Sequence, residues 1–153
     1  MEDCVFCKIV RGELPANKIY EDEDHLAFLD IFPNTKGVTL VITKKHYNSY
    51  AFDLPDEVYS KLLLLAKKIG NVLDKSLGSI RTFMVTEGME IPHIHIKLYP
   101  FYKIARNVAH PDVDHKVFME YPGYIMTIHG PRADDKELSD LAAKISKEAS
   151  KIK

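Results

Sequence analysis

The sequence is poor in cysteine: two in 153 residues, placed as Cys4-x-x-Cys7. In a reducing compartment such a pair suggests metal binding or redox exchange more than a structural disulfide. A chain of this length can bury a real core without covalent staples. It also lacks an excess of either charge. Lys and Arg number 21 against 22 Asp and Glu, for a formal net charge of −1. That balance excludes whole-molecule attraction to nucleic acid or to an acidic membrane, and leaves room only for a local basic patch. No stretch reaches the roughly 18 apolar residues of a membrane span. The opening MEDCVFCKIV is acidic at its start and interrupted by Lys8, unlike a secretory signal. Repeats, low-complexity tracts and long linkers are missing too. A single domain over residues 1–153, in a cytoplasmic protein, is the expectation.

What is present is a succession of short apolar segments. Gly12, Pro15 and Asn17 break the chain after Val10, and residues 18–23 then read as a short strand. Residues 24–31 form an apolar run bounded by Pro33 and Asn34, and residues 37–44 carry the β-branched residues of a buried strand. Strands this close in sequence suggest antiparallel pairing. A helix is expected from about Asp53 or Pro55-Asp56 to a stop at Gly78, with Val58, Leu62, Leu63, Ala66, Ile69, Val72 and Leu73 as its apolar stripe. Residues 80–86 return to strand, residues 93–99 form another closed by Pro100, and residues 123–129 are a further candidate. Residues 134–152 read as an amphipathic helix with Leu138, Leu141, Ala142, Ile145 and Ala149 on one side. The fold class expected is α+β: an antiparallel sheet with a central and a C-terminal helix.

Chemistry concentrates in His93-Ile-His95-Ile-Lys97-Leu98. Side chains alternate along a strand, so His93, His95 and Lys97 share one face at a spacing of about 7 Å. The apolar face can dock on a core while the polar face stays available. Three nitrogen-bearing side chains in a row suit metal or phosphate chemistry, or a half-exposed strand that merely meets water. Cys4 and Cys7 supply two thiolates, and two imidazoles would complete a tetrahedral zinc set. Spacing alone does not choose those two among seven histidines. The absence of a preceding strand counts against a thioredoxin-like redox pair.

Four linked segments carry a resemblance. They are C-x-x-C-K-I-V-x-G-E-L-P-A, E-D-x-x-x-L-A-F-L-D-I-x-P, G-x-T-L-V-I-x-K-K-H, and T-E-G followed by I-x-H-I-H-I, in that order over roughly residues 4–99. Together they resemble the histidine triad superfamily, in its zinc-bearing branch; residues 101–153 form a C-terminal extension with no comparable match. The resemblance implies an antiparallel α+β domain, a homodimer, nucleotide binding and attack on an α-phosphate. It implies zinc held by Cys4, Cys7, His46 and His93, structural because four protein ligands leave no open position. It puts the nucleophile on His95, whose other ring nitrogen needs a backbone carbonyl to fix its tautomer. It also implies ribose binding by Asp30 and packing around the base by Ile9, Leu14, Phe28 and Ile31.

The sequence departs from the family where phosphate is handled. The third triad position is Lys97 instead of histidine, Val38 follows Gly37 where a histidine is frequent, and Thr86 replaces an asparagine that contacts phosphate. The loop before the triad is shortened to Gly88-Met89-Glu90, which brings a carboxylate toward the phosphate. Lys97 would attract phosphate and favour a neutral His95. Arg106, His110, His115, His129 and Arg132, in the unmatched C-terminal part, are further basic side chains that could supply phosphate contacts. The function expected is a nucleotide hydrolase working through a nucleotidyl-histidine. The alternatives are a nucleotidyltransferase, suggested by the altered third position, and a non-catalytic nucleotide-binding protein. A redox protein comes last.

Overall fold

The computed structural model describes residues 4–86, 88, 90–102 and 129–152. Five strands form one antiparallel sheet: β1 (Lys18–Glu21), β2 (His25–Leu29), β3 (Thr39–Thr43), β4 (Arg81–Val85) and β5 (His95–Phe101), in the order β1-β2-β3-β5-β4. The chain begins with a short helix α1 (Val5–Val10) and continues through α2 (Asp56–Leu77) and α3 (Asp135–Ala149). The α+β class expected from the sequence is therefore the architecture observed. Of the strand expected over 123–129, residues 123–128 lie outside the described residues, as do Arg106, His110 and His115, and His129 is in no strand.

Period-two alternation sorts the sheet into two apolar clusters. Ala27, Leu29, Val41, Ile96 and Leu98 pack against Leu62, Leu65, Ala66, Ile69 and Leu73 of α2 and Leu138, Ala142 and Ile145 of α3. The opposite side chains, Leu26, Phe28, Leu40 and Ile42, meet Phe6 and Ile9 of α1. Sheet faces covered on both sides explain why β2 and β3 are buried along their whole length.

The ends of α2 fall where the sequence placed them. Pro55 precedes the first turn, and Gly78 closes the last one at φ 69°, where a Cβ would be strained. The stripe is corrected at one point: Leu63 is exposed and Leu65 is buried in its place. Leu62, Leu65, Ala66, Ile69, Val72 and Leu73 keep to one face at steps of three and four, whereas Leu63 falls beside it. Asp134 caps α3, its carboxylate accepting from the backbone N–H groups of Lys136 and Glu137 at 2.9 and 3.0 Å.

Strand β5 does not stop at Pro100 but runs to Phe101. Its pairing with β3 ends at Leu98, opposite Thr39, so the missing N–H of Pro100 breaks no bond on that side. The pairing with β4 continues past it, with Pro100 opposite Thr82.

Candidate functional site

Cys4 stands just before α1 and Cys7 one turn into it, while His46 follows β3 and His93 lies two residues before β5. These four meet. Cys4 Sγ is 3.5 Å from His93 Nδ1, Cys7 Sγ is 3.3 Å from His46 Nδ1 and 3.6 Å from His93 Nδ1. All four donor atoms lie within 4.8 Å of one another. Zinc–sulfur and zinc–nitrogen bonds of normal length at a tetrahedral angle set S···N at about 3.6 Å, so the donor set fits a tetrahedral ion. Tautomers agree: His93 Nε2 donates to the Thr43 carbonyl at 2.8 Å, which leaves the Nδ1 lone pair facing the thiols. Burial holds the His93 imidazole neutral, its pKa pushed down to about 4, although the Thr43 carbonyl opposes the shift. Burial also pushes the Cys7 thiol up, with Cys4 adding to it. A bound metal would reverse that and release the proton.

His95 opens β5 beside this cluster. Its Nδ1 donates to the His93 carbonyl at 2.7 Å, which places the lone pair on Nε2. The expectation that the polar side of this strand stays open is corrected, because His93, His95 and Lys97 are all buried. Helix α1 covers the two histidines, its Phe6 ring edge-on to His93 at 5.8 Å and to His95 at 5.3 Å, while Lys97 meets Asp30 and His129.

Next to these residues lies a cavity of about 490 Å³, walled by Phe6, Ile9, Leu14, Phe28, Asp30, Ile31 and Leu40, with Lys97, Glu90 and His129 among its polar groups. A space of this size, mostly apolar with a few converging polar groups, is of the kind that takes a small organic ligand. Asp30 Oδ1 accepts from the Phe32 N–H at 2.8 Å, and Asp30 Oδ2 lies 3.9 Å from Lys97 Nζ. The structure thus brings Ile9, Leu14, Phe28, Asp30, Ile31 and Lys97 to one wall. It does not bring Thr86, which is exposed beyond β4, nor Val38, which is buried near α3 against a different hollow. His95 is one alternation from Lys97 on the same strand, buried edge-on to the Phe6 ring, and is not among the residues that line this cavity.

Phe6 and Phe32 were not singled out from the sequence. A lone aromatic between two cysteines gives no periodic signal, and Phe32 sits in a loop. His129 was one of five basic candidates; of the two that are described, His129 lines the cavity and Arg132 does not.

The HIT domain model matches residues 11–104, a span that leaves out Cys4 and Cys7. An uncharacterized HIT-like protein of Methanocaldococcus jannaschii is 43% identical over 105 residues, 65% of this chain and 80% of that one. The adenosine 5'-monophosphoramidase of Schizosaccharomyces pombe is 32% identical over 136 residues, 89% of this chain and 96% of that one. A zinc-bound histidine triad family protein of Mycobacterium smegmatis superposes with a TM-score of 0.66 at 28% identity, covering 97% of each chain. With the HIT domain model matched over more than half of its length and relatives of this similarity along most of it, the chain belongs to the HIT domain family.

Proposed function

We propose that the protein is a nucleotide hydrolase that works through His95. One observation carries the reading: the Nδ1–H of His95 is tied to the His93 carbonyl at 2.7 Å, beside a cavity suited to a nucleoside. That bond fixes the tautomer in which Nε2 is the nucleophile. Nε2 forms a bond to the α-phosphorus as the bond from phosphorus to the leaving group breaks. The leaving group takes a proton from solvent as it departs, and water then attacks phosphorus and breaks the phosphorus–nitrogen bond, giving a nucleoside monophosphate, a proton returned to solvent and neutral His95. Asp30 would hold the ribose, and Ile9, Leu14, Phe28 and Ile31 the base. Lys97 would supply positive charge to the phosphate. Cys4, Cys7, His46 and His93 would hold zinc, which supplies a cross-link between α1 and the sheet and, with four protein donors, no open coordination position. The name of the Schizosaccharomyces relative, a monophosphoramidase, supports a phosphoramidate as the first substrate to try.

Adenosine phosphoramidate is expected to yield AMP with wild-type protein, and His95→Ala to lower the rate by on the order of a thousandfold. Equal turnover by the two would sink the reading. A non-catalytic nucleotide-binding protein is the second reading, favoured by the burial of His95, which is not among the residues lining the cavity. It requires AMP binding with no nucleotidyl adduct on His95 in intact-protein mass spectrometry.

A further inference from the structure

The third position of the His-x-His-x-Lys segment has no imidazole, but the space beside Lys97 does. His129 reaches it from the far side of the cavity. Its Nε2 stands 3.3 Å from Lys97 Nζ and 3.4 Å from Glu90 Oε2. Its ring lies nearly parallel to that of Phe32, at 15° and 6.3 Å between centroids.

Backbone contacts hold it there. The N–H of Gly130 donates to the Phe32 carbonyl at 3.1 Å, and that of Ala133 to the Ile31 carbonyl at 2.9 Å. Gly130 is required for this approach, because a Cβ there would stand 2.1 Å from the Pro33 carbonyl oxygen. The segment therefore rests against the loop that carries Asp30, and Asp134 starts α3 directly after it.

The chemistry of the cluster is unbalanced. Lys97 offers only donors and Glu90, when ionised, only acceptors. His129 Nε2 faces both, and one ring nitrogen does not accept from the first and donate to the second at once. The carboxylate near Lys97, that of Asp30, is 3.9 Å away, longer than a hydrogen bond. Two groups with donor capacity stand 3.3 Å apart on the cavity lining, and among the described groups the one carboxylate within 3.5 Å of either is that of Glu90, beside His129. A phosphate, with several acceptor oxygens, would satisfy both at once.

Accepting the nucleotide reading of the cavity, we infer that His129 and Lys97 form its phosphate-binding end, and that Glu90 occupies this end until an anionic ligand displaces its carboxylate. His129 then takes a place at the phosphate that the strand itself fills with lysine. Glu90 becomes a competitor that weakens every phosphate ligand and leaves the nucleoside part untouched. Gly130 is the positioning residue that sets the ring.

The test is calorimetric titration with AMP and with adenosine. His129→Ala is expected to weaken AMP about tenfold and to leave adenosine within about twofold. His129→Gln, which keeps an N–H donor, should recover part of the loss. Glu90→Gln should tighten AMP by about threefold, since it removes a like charge, again without changing adenosine. Gly130→Ala should reproduce the loss of His129→Ala. Unchanged AMP affinity in His129→Ala, equal losses for AMP and adenosine, or weaker AMP binding in Glu90→Gln would each overturn the inference. Wild type that binds neither probe would overturn the nucleotide reading and this inference with it. Wild type that binds AMP while His129→Ala matches it would overturn this inference alone. Half-exposed side chains at positions 90 and 129 make unfolding of these variants a small concern, and melting curves control for it.

Discussion

His93 and His95 are the same amino acid two positions apart, yet the backbone gives them opposite tautomers. His93 donates from Nε2 to the Thr43 carbonyl, and His95 donates from Nδ1 to the His93 carbonyl. One therefore turns Nδ1 toward the thiols, and the other keeps its lone pair on Nε2. A sequence shows two histidines with one residue between them; it does not show which ring nitrogen each will present, because that depends on carbonyls supplied by other segments. The same limit applied to the ligand set. Cysteine spacing pointed to a metal, and the resemblance alone picked His46 and His93 from the seven histidines. Phe6 was illegible for a related reason, since its importance comes from lying across both rings. Phe6→Ala is expected to lower stability by about 3 kcal/mol in denaturant unfolding. A loss below about 1 kcal/mol would mean that the ring covers the histidines without packing on them.

At the scale of elements, the parts with a long repeat were legible and the short ones were not. Helix α2 repeats its apolar face over 22 residues, and both its ends carry local signals. Helix α1 has six residues, too few turns to display a period. Its existence follows from contacts with Leu26, Phe28, Leu40 and Ile42 across the sheet. Alternation along β5 was read correctly, but alternation does not say that both faces will be covered. Strand β4 is the opposite case. It lies at the edge of the sheet and exposes Phe83 and Met84, with Phe101 of β5 beside them. Phe83 and Phe101 touch edge to face at 5.6 Å. Among the described residues β4 has no partner on its outer side, and exposed aromatics on such an edge favour association with a second copy, in keeping with the homodimer that the resemblance implies. Light scattering is expected to give twice the 17.5 kDa chain mass, and Phe83→Glu to return it to a single chain. Wild type measured as one chain at about 100 μM, a Kd well above typical dimers, would remove this proposal.

Across the whole molecule, the strand order was beyond the sequence: β5 inserts between β3 and β4, with α2 bridging the crossover. That insertion sets His93 next to His46 and Lys97 within reach of Asp30. It also makes α1 a shared wall. Cys4 and Cys7 bracket Phe6, and Val5, Phe6 and Ile9 line the cavity. An ion on the four donors would thus fasten one side of a pocket it never touches. Thermodynamic reciprocity then applies: whatever factor the ion adds to ligand affinity, the ligand must add to ion affinity. Zinc-loaded protein is expected to bind AMP more tightly than chelator-stripped protein, and saturating AMP to tighten zinc by the same factor in a competition titration. Identical AMP affinities in the two forms would mean that α1 keeps its place without the ion. Matched factors would make the occupant of the cavity a reporter of metal supply, and metal supply a control on what the cavity holds.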